Sequence, residues 1–141
     1  MVIRQLENKD LEQSFTLLNE LYEGKIQHDI FTRKYQDNLN DNNFYGIVAE
    51  KDNIITGVLI SRLISRLVKS KDILFVDDLI VNKDYRSNGI GKLLLQSAID
   101  YAVEKNCEVI ELTSYITNKN SHRFYGNNGF KKQHYKFKKS L

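Results

Sequence analysis

The stretch Val81-Asn82-Lys83-Asp84-Tyr85-Arg86-Ser87-Asn88-Gly89-Ile90-Gly91-Lys92-Leu93-Leu94-Leu95 constrains the fold more than any other part of the chain. An apolar run ends, a turn holding one arginine and two glycines follows, and an amphipathic pattern starts at once. Ile90, Leu93, Leu94, Ala98 and Tyr101 recur at helical spacing, joined by Leu95, Ile99 and Ala102. A stripe that wide belongs to a helix laid on a sheet. The start of such a helix offers unpaired backbone N–H groups and the positive end of its dipole. Glycine lets that backbone come close to a phosphate, because no Cβ intervenes. Arg86 and Lys92 add positive charge. These residues predict a pyrophosphate cradle, set against a glycine-capped turn that merely opens a helix. A P-loop would need glycine at Arg86 and Ser or Thr at Leu93. A dinucleotide fingerprint would need Gly or Ala at Leu94. The pattern that fits is Arg-x-x-Gly-x-Gly.

The rest of the chain reads as alternating helical and strand-like text. Leu11, Phe15, Leu18 and Tyr22 mark a helix from Asp10 to Tyr22, ended by Gly24. A second amphipathic stretch runs from Ile30 to Leu39. Phe44–Ala49 and Ile54–Ile60 flank the turn signal Lys51-Asp52-Asn53 and read as a hairpin. Ile73–Val81 is a third apolar run, with two aspartates inside it. After the Ile90–Val103 helix come a short strand at Val109–Thr113, a helix at Asn118–Tyr125 and a closing strand at Phe130–Phe137. The order α-α-β-β-β-α-β-α-β predicts a mixed α/β fold with helices on both sheet faces. With 141 residues, a single domain over residues 1–141 is expected.

Composition narrows the setting. One cysteine, Cys107, excludes an internal disulfide and fits a reducing, cytoplasmic compartment. Charge appears too early for a signal peptide, and no uncharged stretch approaches the ~20 residues of a membrane helix. A net charge of +3 is mild and does not point to nucleic acid. Lys131, Lys132, Lys136, Lys138 and Lys139 crowd the end of the chain, as a solvated edge strand or as a basic rim for an anion. His28, His122 and His134 lack Cys or acidic partners at ligand spacing, so no metal is expected.

Arg86-x-x-Gly89-x-Gly91 resembles the coenzyme-A loop of the GNAT superfamily of N-acetyltransferases, which lies between that family's fourth strand and third helix. Two further segments carry the resemblance. Phe75-Val76-Asp77-Asp78-Leu79-Ile80-Val81 looks like the fourth strand with its acidic pair. Asn118-Lys119-Asn120-Ser121-His122-Arg123-Phe124-Tyr125, running on to Gly129-Phe130, is similar to a late Asn-x-x-Ala/Ser-x-x-Phe-Tyr block. The resemblance is patchy before Phe44 and strong from Phe75 to Phe130.

That resemblance implies a mostly antiparallel central sheet with helices on both faces and a splayed V between the fourth and fifth strands. It implies acetyl-CoA as acyl donor, held by the loop residues Arg86, Ser87, Asn88, Gly89, Ile90, Gly91 and Lys92. A bulge in the fourth strand would free backbone N–H groups of Leu79, Ile80 and Val81 for the pantetheine arm and the thioester carbonyl. Asn118 and Ser121 would contact the coenzyme, and Tyr125 would sit near the sulfur and protonate the departing thiolate. Ser87 departs from a common family glycine. Asp77 stands where relatives usually carry glutamate, which favours a water relay over direct proton transfer.

The reaction needs a neutral amine, and amines of the lysine type titrate near ~10. A carboxylate must therefore remove a proton, and Asp77, with Asp78 as second choice, is expected to do so; each could instead pair with Arg86 or a lysine. Tyr22, Phe31, Tyr35 and Phe44 would wall the acceptor pocket in this fold, or simply fill the core. Expected partners are a small-molecule or protein amine and a second copy of the chain as a homodimer, with neither nucleic acid nor membrane. The rival reading is a non-catalytic acyl-CoA-binding or regulatory module.

Overall fold

Between Phe44 and Val81 the chain folds back on itself twice. Strand β2 (Phe44–Lys51) turns into β3 (Ile54–Ile64) through Asp52 and Asn53. Their φ values of 52° and 63° suit a two-residue hairpin, and short polar side chains tolerate them. Strand β4 (Ile73–Val81) pairs antiparallel with β3. The computed structural model describes residues 1–141 and divides into two compact units, Met1–Glu111 and Leu112–Leu141.

One strand escapes the sequence pattern. Val2–Gln5 forms β1, antiparallel to β2 at the sheet edge, and makes Ile73–Val81 the fourth strand. Its four residues show no apolar alternation, so the 2-residue period had nothing to act on. Arg4 holds it in place, with Nε donating to Glu50 at 2.5 Å and Nη1 and Nη2 to Asp10 at 2.7 and 2.8 Å. The last strand, β5 (Val109–Leu112), completes the order β1-β2-β3-β4-β5 and runs parallel to β4. The closing strand expected at Phe130–Phe137 does not form, and the chain has no regular structure after Gly129. Lysines alternate with Tyr135 and Phe137 there, and both aromatics are fully exposed.

The sheet of the first unit carries helices on both faces. Helices α1 (Leu11–Leu21) and α2 (His28–Leu39) cover one face. Leu17, Leu18 and Tyr35 pack there with Val48, Val58 and Ile80. Helix α3 (Ile90–Glu104) covers the other through Ile90, Leu94, Leu95, Ala98 and Ala102, all buried. Gly57 of β3 sets how closely α3 can approach. A Cβ on it would lie 2.9 Å from Leu94 Cδ1 and 3.2 Å from the Ile80 carbonyl. In the second unit, α4 (Lys119–Asn127) is the one helix. No helix of the chain is long and apolar enough to cross a membrane.

Candidate active site

Strand β4 is irregular at one point. Ile60 pairs with Asp78 while Ser61 pairs with Val76, so Asp77 is an extra residue with no place in the ladder register with β3. A bulge of this kind breaks the two-residue alternation of side chains. Val76 stays on the α3 face with Ser61, whereas Asp78, two residues on, shares the α1–α2 face with Ile60. Asp77 is turned to that face as well, where its carboxylate accepts from Arg62 Nε at 2.7 Å. Two adjacent aspartates thus serve one side of the sheet.

The two carboxylates have different surroundings. Asp78 accepts a short hydrogen bond from the Tyr22 hydroxyl at the end of α1. Burial pushes its carboxyl above the ordinary range, the Tyr22 hydroxyl pulls it back, the neighbouring Asp77 adds to the rise and Arg62 opposes it. Asp77 forms an ion pair with a half-exposed guanidinium. Arg62 also reaches α2, with Nη1 3.4 Å from Asn38 Oδ1. Sequence reasoning did not identify Arg62 as the partner; Arg86 instead donates from Nε to the Val81 carbonyl at 2.9 Å and braces the loop.

Asp78 opens onto a cavity of about 390 Å³ between α1, α2 and the sheet. Its walls are mainly apolar, with Phe31, Tyr35, Phe44 and Ile60 among them, and Lys34 and Arg62 also line it. Phe31, Tyr35 and Phe44 therefore contribute to the pocket as well as to the core around it. Tyr22 adds its hydroxyl through Asp78.

The loop from β4 to α3 is braced by local bonds. Asn82 Oδ1 accepts from the Asp84 amide at 3.0 Å, and Asn88 Nδ2 donates to the Tyr85 carbonyl at 3.1 Å. Ser87 and Gly89 are left-handed, with φ of 65° and 77°. Gly89 caps α3, and the space beside it is open, with no atom beyond its own chain neighbours within 4 Å of where a Cβ would stand. Buried Ile90 anchors the helix start. No backbone carbonyl engages the amides of Ser87, Asn88, Gly89, Ile90, Gly91 or Lys92. A row of amides at a helix start, with an open glycine in its midst, suits a diphosphate.

The edge of β4 narrows the expected backbone donors. Asn82 donates to the Thr56 carbonyl on β3 at 2.8 Å. Alternation then turns the Ile80 amide toward β3 and those of Leu79 and Val81 toward the opposite edge. On that edge, Glu108 donates to the Asp72 carbonyl at 2.9 Å, just before both strands begin. Since β5 has four residues and β4 has nine, their pairing is confined to the first half of β4. Leu79 and Val81 lie beyond it, and Ile80 is engaged by β3.

The second unit holds the late block. Asn118 Oδ1 accepts from the Ser121 amide at 3.2 Å, so this side chain caps α4. Tyr125 lies on the same helix, its ring edge-on to Phe124 and Phe130 at 5.3 and 5.8 Å. His122 Nε2 meets the Tyr115 carbonyl at 2.8 Å. In the first unit, His28 is paired with Glu12 at 2.9 Å, and Cys107 is half-buried.

Comparison with known proteins gives a consistent picture. The model of the Acetyltransferase (GNAT) family matches residues 9–130, which run across both units. An aminoalkylphosphonate N-acetyltransferase of Salmonella typhimurium is 27% identical over 139 residues, covering 99% of this chain and 90% of the relative. A transcriptional regulator from Bacillus halodurans C-125 superposes with a TM-score of 0.93 at 26% identity, covering 99% of both chains. An aminoglycoside acetyltransferase from an uncultured soil metagenomic sample, in complex with trehalose, superposes with a TM-score of 0.87 at 27% identity, covering 99% of this chain and 95% of that one.

Proposed function

The chain belongs to the acetyltransferase (GNAT) family, and from that premise we propose that it transfers an acetyl group from acetyl-CoA directly to a primary amine bound in the Asp78 cavity. The observation that carries the reading is the row of unengaged amides from Ser87 to Lys92 around left-handed Gly89. Those amides hold the coenzyme's diphosphate, with Lys92 adding charge. The amides of Leu79 and Val81 serve the pantetheine arm and the developing oxyanion. Both units form one catalytic domain, a reading supported by the span of the family match.

Acetyl-CoA supplies the activated thioester. Asp78 is our choice of base, because it lines the cavity and its raised proton affinity suits it to accept a proton. It takes one proton from the bound ammonium, directly or through a water. The freed nitrogen attacks the carbonyl carbon, the C–N bond forms, the C–S bond breaks, and the nitrogen loses a second proton. Tyr125 gives the departing thiolate its proton. The balance is one amide, one thiol and one proton released. Asp77 positions Arg62 and tunes Asp78 by its charge. Asn118 and Ser121 set the start of the Tyr125 helix.

A small-molecule acceptor is supported by the modest volume of the cavity and by relatives named for aminoalkylphosphonate and aminoglycoside acetylation. A cytoplasmic setting accords with a lone cysteine. The experiment is thiol release from acetyl-CoA against a panel of amines, run beside melting with added coenzyme. Coenzyme at ~100 times its dissociation constant should add about 2.7 kcal/mol of stability. Asp78→Asn should lower kcat by ~10²-fold or more while the coenzyme-induced shift is kept, and Tyr125→Phe should lower kcat with the same retention. Unchanged rates in both variants would remove the assigned roles. The resemblance to a transcriptional regulator favours one second reading, a coenzyme-sensing module. It predicts the melting shift with no turnover on any amine.

A further inference from the structure

The charges around the cavity limit which amine it can take, and this inference rests on the acetyltransfer reading above. Helix α2 presents Phe31, Lys34, Tyr35 and Asn38 to the cavity, at the three- and four-residue steps of one helix face. Ile60, Arg62 and Asp78 line it from the sheet. Arg62 is already neutralised by Asp77. Asp78 is bonded to Tyr22 and assigned to the amine. Lys34 is different. It is the one lysine of the lining, and no carboxylate lies within 4.0 Å of its ammonium.

Once Asp78 has met the amine, the cavity keeps a cation with no counter-charge of its own. A second amine or a polycation would meet the Lys34 ammonium, and like charges brought together repel. An acceptor with an anionic group would supply what is missing. The rest of the lining is mainly apolar, with Phe31 and Ile60 among it, and suits a short alkyl spacer. The volume of about 390 Å³ lies at the small end of ligand cavities.

We propose that the acceptor is a small amino acid-like molecule, its amine at Asp78 and an anionic carboxylate or phosphonate at Lys34, joined by a short apolar spacer. Lys34 is then the residue that sets acceptor charge. Nothing in the pairing or core of the fold depends on it, since its side chain is exposed on a helix. Its replacement should therefore leave folding intact.

The test is steady-state kinetics of the full chain with acetyl-CoA and four acceptors built on the same three-carbon chain: 3-aminopropylphosphonate, 4-aminobutanoate, propylamine and 1,3-diaminopropane. The anionic pair should exceed propylamine in kcat/KM by ~10-fold or more, chiefly through KM, and the diamine should be poorest. Added salt should shrink the gap, because a part-exposed charge is screened. Lys34→Gln should collapse the ratio of anionic to neutral acceptors, Lys34→Glu should reverse it in favour of the diamine, and Lys34→Arg should restore it. The two anionic arms distinguish carboxylate from phosphonate. Turnover that favours the diamine, or a ratio unmoved by Lys34→Glu, overturns the assignment while leaving acetyl transfer in place. No thiol release with any acceptor overturns the acetyltransfer reading, and this inference with it.

Discussion

Asp78 holds a charge where the fold disfavours one. Its carboxyl is raised chiefly by burial, so the folded chain binds that proton more tightly than the unfolded chain does. The resulting stability is present below the unfolded value and lost as pH rises through the folded one. Asp78→Asn should therefore melt higher than the parent at pH 7 and converge with it in acid, while losing activity. Calorimetry at two pH values checks the first part. The neighbours of Asp78 shift it in opposite directions. Removing the Tyr22 hydroxyl, which lowers the Asp78 value, should move the acid limb of kcat/KM to higher pH. Asp77→Asn, which removes a like charge, should move it lower. Equal shifts of the same sign would contradict the geometry. Sequence made the aspartate pair conspicuous, because charge inside an apolar strand needs a reason. Their partners were not legible: Tyr22 lies 56 positions from Asp78 and Arg62 lies 15 from Asp77. Only folding brings such residues together.

At the scale of the element, the loop from β4 to α3 depends on a residue that never touches it. Gly57 lets α3 settle against β3, and the position of α3 sets where the amides from Ser87 to Lys92 point. Gly57→Ala would press on Leu94 and on the Ile80 carbonyl, and overpacking of this kind costs about 1–3 kcal/mol. We expect a lower denaturant midpoint and a coenzyme affinity reduced further than the stability loss alone explains, read by titration calorimetry. An isolated glycine in an apolar strand signals a close approach, but sequence does not say which element approaches. The long helix and the hairpin were legible because their periods extend over many residues. Strand β1 was too short for a period to show. The lysine-rich end shows a strand's alternation without forming one, because a strand needs a neighbour that local pattern cannot supply.

Across the first unit, Arg4 ties β1 to β2 and to the turn before α1. Its partner Asp10 is only 3% exposed. Burial pushes the Asp10 carboxyl up, but the Arg4 guanidinium and the Glu7 amide more than offset this and hold it below its ordinary value. The sign is opposite to that of Asp78: this stability is present above the unfolded value and lost as pH falls through the folded one. Arg4→Met would strand a buried carboxylate, at a cost of about 3–5 kcal/mol. Unfolding curves at pH 7 should show that loss, and it should shrink in acid once Asp10 is protonated. The surplus residue at Asp77 has a different consequence. Every other partnership between β3 and β4 is already in step on either side of it. Cutting Asp77 out would close the ladder and leave both faces of the sheet dressed as before, so the shortened chain should melt near the parent but lack one of its two acids. The surplus acid is a detachable insertion in an otherwise regular weave, and it can be lost without the scaffold registering the change.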